Sequence, residues 1–210
     1  MKSLLKNPQI YLVLDAQVAS YDRLFEILKE SVIVGIDVVQ LRDKVGTSRD
    51  VLNFSRRIQK YLRRRIPFII NDRIDLACAA QADGVHLGQE DLPIEVARKI
   101  LGKKAIVGIS CQTMAHAVKA QRAGADYIGF GSVFKTLTKP ERRGMDLKLL
   151  SKIISTIKIP VFTIGGIGLE NIGMLSSIGV KRIAVTRAIC LSPDVRKDIQ
   201  NLRRVLGVDN

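Results

Sequence analysis

The chain has 210 residues, 47% of them hydrophobic and 26% charged, a composition typical of a folded domain with one large core. No apolar run approaches the roughly 20 residues that a membrane span needs, and the first apolar stretch runs directly into Asp15, which favours a strand over a signal peptide. A net charge of +14 admits anionic partners, but only 5% of residues are aromatic and basic and aromatic residues do not alternate, so nucleic acid is disfavoured as the main partner.

Eight short apolar runs alternate with amphipathic segments, a pattern typical of βα units in a parallel sheet. The predicted strands are residues 10–14, 38–41, 68–70, 84–87, 105–109, 127–130, 161–164 and 182–185. The predicted helices are residues 21–31, 48–64, 74–80, 93–101, 113–123, 147–157, 169–178 and 193–206. Gly35, Gly124 and Gly179 follow predicted helices at positions where a left-handed residue ends a helix.

These units fill the chain without a linker, so we predict one (β/α)8 TIM barrel as a single catalytic domain over residues 1–210. A doubly wound open sheet is the competing architecture. It requires a glycine-rich loop after the first strand, where the sequence instead has Asp15-Ala16-Gln17-Val18.

The cysteines and histidines are assigned structural roles. The three cysteines are widely spaced and form no C-x-x-C pair, which favours a reducing cytoplasm over a zinc site or disulfides. Cys78 and Cys190 lie in apolar stretches and are predicted to be small core residues, while Cys111 is assigned to packing. We predict that His86, in the fourth strand, and His116, in a helix, are structural.

Catalytic groups of such a barrel stand at the C-terminal ends of its strands, and polar residues are frequent there. In chain order the residues at these strand ends are Gln40, Arg42, Lys44, Asn71, Asp72, Arg73, Gln89, Glu90, Asp91, Ser110, Thr136, Thr138, Lys139, Gly165, Gly166, Thr186 and Arg187. Asp72 and Asp91 follow adjacent strands and would hold a hard cation such as Mg²⁺ through oxygen ligands. Arg42, Lys44 and Lys139 would neutralise the phosphate charge that the metal leaves. A glycine pair after strand seven is typical of a second phosphate site.

Each residue also has a simpler interpretation. Arg42 and Lys44 would be solvated loop charges, Asp72 a helix cap, Thr136 and Thr138 turn formers, and the glycine pair a tight turn. Their convergence on one rim favours a site for phosphorylated small molecules over these separate explanations.

Several motifs resemble those of thiamine-phosphate synthases over nearly the whole chain: QLRDK at 40–44, NDR at 71–73, GVHLGQEDLP at 84–93, TLTK at 136–139 and IGGI at 164–167. That family joins a pyrimidine diphosphate to a thiazole phosphate and releases diphosphate. The resemblance implies a pyrimidine diphosphate site formed by Gln40, Arg42, Lys44, Asn71, Ser110 and Lys139, with Arg42, Lys44, Ser110 and Lys139 as catalytic residues. It implies Mg²⁺ on Asp72 and Asp91, and a thiazole phosphate site formed by Thr136, Thr138, Gly166, Thr186 and Arg187.

Two alternatives remain beside the synthase. Thiazole tautomerases share much of this resemblance, which in their case centres on a histidine two residues after the Ser110 position. Here that position is Gln112, and glutamine cannot shuttle protons near neutral pH. Synthases often have this histidine too, so Gln112 departs from both patterns, but it counts more against the tautomerase, where the residue would carry the chemistry. A non-catalytic phosphate-binding barrel would have no use for Asp72 and Asp91 beside an anion site. Arg187 replaces the serine that is usual in the family after strand eight. The segment 140–144 is short and basic at the place where the family has a mobile loop. A homo-oligomer is compatible with the sequence.

Overall fold

A computed structural model describes residues 7–135 and 144–207, and its eight parallel strands form a closed barrel in chain order. The strands are β1 (Ile10–Asp15), β2 (Val38–Arg42), β3 (Phe68–Asn71), β4 (Gly84–Leu87), β5 (Ile106–Cys111), β6 (Tyr127–Phe130), β7 (Val161–Ile164) and β8 (Ile183–Val185). The predicted TIM barrel is therefore confirmed, and each predicted strand lies within two residues of an observed one.

The helices cover the outside of the barrel. They are α1 (Tyr21–Ile33), α2 (Ser48–Leu62), α3 (Ile74–Ala79), α4 (Ile94–Leu101), α5 (Met114–Arg122), α6 (Leu147–Thr156), α7 (Ile172–Ser177), α8 (Arg187–Cys190) and α9 (Val195–Val205). Gly35, Gly124 and Gly179 have φ angles of 85°, 82° and 86°, as predicted for helix ends. Within the described residues, no helix combines the length and the apolar character that a bilayer crossing requires.

Two elements differ from the prediction. The helix expected over residues 169–178 begins only at Ile172, because Asn171 bonds instead to the preceding loop: it accepts from the Gly168 N–H at 3.1 Å and donates to the Gly166 carbonyl at 2.7 Å. The four-residue helix α8 after β8 was not predicted, since one turn of helix leaves no periodic pattern in the sequence.

The alternation of strand residues separates two cores. Inward-facing side chains fill the barrel, among them Tyr11, Tyr127 and Phe162, whose ring centroids lie 5.1 to 5.6 Å apart. Outward-facing side chains such as Leu12 and Val39 pack against the helices. Farther along the strands the inward residues become polar, so the apolar layer supports a polar site at the C-terminal end.

Two of the three cysteines are buried as predicted, and the third is not. Cys111 and Cys190 are buried, as predicted, and burial raises the pKa of the Cys111 thiol to about 12 and that of Cys190 to about 11. The prediction for Cys78 is wrong, because this residue is exposed. The short helix α3 buries Ile74 and Ala77, one turn apart, and turns Cys78 toward solvent.

Candidate active site

A cavity of about 530 Å³ opens among the C-terminal ends of the strands. Its wall includes eight of the predicted site residues: Gln40, Arg42, Asn71, Ser110, Gly165, Gly166, Thr186 and Arg187. Lys44, Asp72 and Asp91 form a cluster of their own, and Asp72 directly follows the cavity residue Asn71. The predicted residues Thr136, Thr138 and Lys139, with most of the 140–144 segment, lie outside the described residues.

A hydrogen-bond chain crosses one wall of the cavity. The Gln40 amide donates to Asn71 Oδ1 at 3.1 Å and accepts from the Tyr11 hydroxyl at 2.8 Å. The Tyr11 and Tyr127 hydroxyl oxygens lie 2.8 Å apart. Burial raises the pKa of both tyrosine hydroxyls. Both are therefore neutral hydrogen-bonding groups near pH 7. These hydrogen bonds hold the Gln40 and Asn71 side chains in the cavity wall.

His86 extends this chain to Ser110. Its Nδ1 lies 3.0 Å from the Tyr127 hydroxyl, and its Nε2 lies 3.0 Å from Ser110 Oγ. His86, which is predicted to be structural, stands in the cavity wall. The signal in the sequence was a polar residue between the apolar Val85 and Leu87, which face the helices. The structure pairs His86 with Asn71 on one side and Gly108 on the other.

Arg42 is held by a partner that the sequence interpretation missed. Its Nη1 donates to Asp15 Oδ2 and to Gln17 Oε1, each at 2.8 Å. The side chains of Arg42 and Asp15 are only 14% and 1% exposed. Arg42 is therefore not a solvated loop charge. The signal for Asp15 was a carboxylate that ends an otherwise apolar, buried strand.

Lys44, Asp72 and Asp91 meet at one place on the rim. Lys44 Nζ pairs with Asp72 Oδ2, and Asp91 accepts from the Gly88 N–H at 2.6 Å. Burial raises the pKa of Asp91, and the Asp72 carboxylate within hydrogen-bonding reach raises it further, although the Gly88 bond opposes both. Two carboxylates that repel each other in a partly buried place fit a divalent cation.

Asp72 is not the cap of the next helix. The N-cap of α3 is Arg73, which makes no side-chain capping bond. Asp72 has a φ of 59°, in the left-handed region that aspartate tolerates better than most residues, and its N–H donates to the His86 carbonyl at 2.8 Å. Because of this conformation, the side chains of two consecutive residues lie in different parts of the site: Asn71 lines the cavity, and Asp72 lies at the rim.

The glycine pair forms the opposite end of the cavity. Gly165 and Gly166 have φ angles of 106° and 64°, and a Cβ on Gly166 would lie 2.5 Å from the Lys135 carbonyl oxygen. Both glycines therefore need their lack of a side chain to keep the backbone at the cavity surface. Arg187 and Lys135 also line the cavity, and Lys135 is a cation that sequence reasoning did not single out.

A family model and two curated relatives match most of this chain. A family model described as thiamine monophosphate synthase matches residues 10–189. The thiamine-phosphate synthase of Fusobacterium nucleatum is 39% identical over 199 residues, with 94% of this chain and 97% of the relative covered. That of Ruminiclostridium cellulolyticum is 42% identical over 200 residues, covering 93% and 94%.

A solved structure is similar over its full length. The thiamine phosphate pyrophosphorylase of Pyrococcus furiosus superposes with a TM-score of 0.86 at 35% identity, and 97% of this chain and 98% of that one are covered. The resemblance inferred from the motifs is confirmed. The chain belongs to the thiamine monophosphate synthase family of enzymes.

Proposed function

We propose that this chain is a thiamine-phosphate synthase that joins a hydroxymethylpyrimidine diphosphate to a thiazole phosphate. The observation that carries the proposal is the arrangement around one cavity. Arg42 and the adjoining Lys44 cluster lie at one side, and the glycine pair lies with Arg187 at the other. This arrangement suits two substrates that each bind through a phosphate group at one side of the cavity and react with each other between the two sides.

The reaction breaks the C–O bond between the pyrimidine methylene and the diphosphate, and a C–N bond to the thiazole nitrogen forms. Negative charge accumulates on the departing diphosphate, where Arg42 and Lys44 stabilise it. Asp15 contributes by holding the Arg42 guanidinium in place. Asp72 and Asp91 would hold Mg²⁺, which when bound supplies further positive charge against the diphosphate.

Two carboxylates are fewer ligands than Mg²⁺ takes. Within the described residues no group of three or more histidine, cysteine or acidic side chains could hold a metal. Magnesium sites commonly use one or two carboxylates together with substrate phosphates and water, so Asp72 and Asp91 fit a metal that arrives with the diphosphate.

The protein's remaining contribution is orientation. Gln40, Asn71 and Ser110 would bind the pyrimidine through amide and hydroxyl groups whose rotamers the hydrogen-bond chain already fixes. No side chain has to act as a nucleophile. Holding two reactants in attack geometry removes much of the entropic cost of a bimolecular step.

At the other end, Gly166, Thr186 and Arg187 would bind the thiazole phosphate. Backbone N–H groups of a glycine loop and an arginine fork both suit phosphate oxygens. Thr136, Thr138 and the catalytic Lys139 complete the assignment by family resemblance alone. Gln112 offers no proton that titrates near neutral pH, which counts against the tautomerase.

One assay tests the proposal. Purified protein is incubated with hydroxymethylpyrimidine diphosphate, thiazole phosphate and Mg²⁺, and thiamine phosphate and diphosphate are quantified. We expect both products in equal amounts, and none when either substrate or the metal is omitted. A parallel incubation with the thiazole carboxylate phosphate alone detects the tautomerase. Folded protein that forms no thiamine phosphate would overturn the proposal.

A further inference from the structure

The five residues between β2 and α2 carry Lys44 to the carboxylate pair. β2 ends at Arg42 and α2 begins at Ser48, so Lys44 lies outside both elements. Its side chain is 48% exposed, yet its Nζ pairs with Asp72. A long, exposed lysine side chain has many rotamers, so its average position depends on how firmly its backbone is held.

Asp43 binds that backbone through one carboxylate oxygen and the Tyr21 side chain through the other. Its Oδ1 accepts from the Val45 and Gly46 N–H groups at 2.8 and 2.6 Å, on the far side of Lys44. Its Oδ2 accepts from the Tyr21 hydroxyl at 2.5 Å. Burial acts to raise the pKa of Asp43, but the hydrogen bonds from Tyr21, Gly46 and Val45 outweigh it and lower that pKa. The carboxylate is thus ionised, and its hydrogen bonds are charge-assisted.

Tyr21 is itself anchored in the fold. It opens α1, and its ring stacks on Phe54 of α2 with centroids 4.3 Å apart and planes 16° apart. Phe54 is only 4% exposed and belongs to the main core. The Tyr21 hydroxyl therefore ties the loop to two helices at once.

Gly46 leaves room for this contact. A Cβ on Gly46 would lie 2.6 Å from Asp43 Oδ2 and 2.7 Å from the Tyr21 hydroxyl oxygen. The backbone of Gly46 is not in the left-handed region, so space and not φ requires the glycine. This is a second observation, independent of the hydrogen bond, that the loop is built around the Tyr21–Asp43 contact.

We propose that Tyr21 and Asp43 are positioning residues for the transferase reaction: their hydrogen bond holds Lys44 at the Asp72–Asp91 pair before the diphosphate arrives. The inference rests on the proposed function, which assigns Lys44 to the diphosphate. Preorganisation of this kind lowers the ordering cost when the ligand binds, without any contact between Tyr21 and the ligand.

Tyr21→Phe tests the proposal because it keeps the stacked ring and removes only the hydroxyl. Calorimetry with inorganic diphosphate and Mg²⁺ gives the Kd, and steady-state kinetics gives a KM for each substrate. We expect the Kd of diphosphate and the KM of the pyrimidine diphosphate to rise about fivefold, which is less than the full effect of one lost hydrogen bond to a charged group, because Tyr21 acts on the ligand only through Lys44. The KM of the thiazole phosphate should stay unchanged. Gly46→Ala should give the same pattern, and Tyr61→Phe on α2 is the matched control.

A double-mutant cycle separates positioning from general damage. In a Lys44→Ala background, Tyr21→Phe should weaken diphosphate binding by less than about twofold, because the residue on which it acts is gone. An equal loss in both backgrounds, an equal rise in both KM values, or no change at all overturns the inference. Failure of the proposed function is distinguishable, because wild-type protein would then bind diphosphate without forming thiamine phosphate.

Discussion

Arg42 Nη1 lies 2.8 Å from Asp15 Oδ2, where the two residues face each other as register partners at the ends of β2 and β1. The pair is nearly buried, and Arg42 lines the cavity. A buried guanidinium needs a counter-charge, and Asp15 provides it while leaving part of the arginine fork for a phosphate oxygen.

Asp15→Asn keeps the side-chain shape but leaves the Arg42 charge without its partner. Breaking one side of a buried ion pair costs about 3 kcal/mol of unfolding free energy, and the freed arginine should lower kcat/KM for the pyrimidine diphosphate about tenfold. Urea unfolding and steady-state kinetics measure the two effects. Asp22→Asn is the control, because Asp22 pairs with Arg57 at the same 2.8 Å but is 88% exposed. Equal stability of the two variants would contradict the assignment.

Asp72→Ala and Asp91→Ala should each reduce Mg²⁺-dependent turnover by about a hundredfold or more, since metal charge stabilisation is worth several kcal/mol. Stability should change little in Asp91→Ala, because the lost Gly88 hydrogen bond offsets the relieved repulsion between the two carboxylates. It should fall by about 1 kcal/mol in Asp72→Ala, because alanine tolerates a φ of 59° less well than aspartate does. Turnover measured across a Mg²⁺ titration and thermal unfolding test both statements. Glu90→Ala serves as the neighbouring control. Full activity of either aspartate variant at saturating metal would exclude the metal assignment.

Gly166→Ala places a Cβ at a φ of 64° and 2.5 Å from a backbone oxygen. The loop must shift, so we expect a higher KM for the thiazole phosphate and a loss of about 1–3 kcal/mol in stability. Gly173→Ala is the matched control, because Gly173 is helical and its Cβ would meet nothing within 4 Å. That change should stabilise the protein by up to about 1 kcal/mol. A thiazole phosphate KM unaffected by Gly166→Ala would remove the glycine pair from the phosphate site.

Three aspartates make the same hydrogen bond at the N-terminal end of the barrel, opposite the cavity. Asp37, Asp83 and Asp126 each precede an even-numbered strand and accept a backbone N–H of the strand before it. Asp37 pairs with Arg203 at 3.1 Å and Asp126 with Arg98 at 2.6 Å. Asp83 is 1% exposed, and within the described residues its Oδ1 has no hydrogen-bond partner.

Burial raises the pKa of Asp83, and this predicts a pH dependence of stability. The folded chain keeps the Asp83 proton after the unfolded chain has lost it, so stability falls as pH rises from about 3.9, the ordinary aspartate pKa, to the folded value. Asp83→Asn should remove that fall and be more stable than wild type above the window. Asp126→Asn should instead be destabilised. Chemical denaturation at several pH values decides, and a less stable Asp83→Asn at pH 7 would contradict the prediction.

The sequence by itself determined the barrel and most of its rim. Apolar periodicity located every strand, and parallel strands bring their C-terminal ends to one face, so residues such as Asn71 and Ser110 could be assigned to a shared site without coordinates. The left-handed glycines at helix ends were also predictable, because their conformation depends only on local chain geometry.

Only the tertiary structure decided which partner each polar group meets. Asp15 and Arg42 are 27 residues apart, and Tyr11 and Tyr127 are 116 apart. Such contacts depend on strand register and on closure of the barrel, which no local pattern encodes. The same holds for the Tyr21–Asp43 bond, whose partners are 22 residues apart. Local periodicity fixes which way a side chain points, whereas the neighbour it meets is set by distant segments packed to native density.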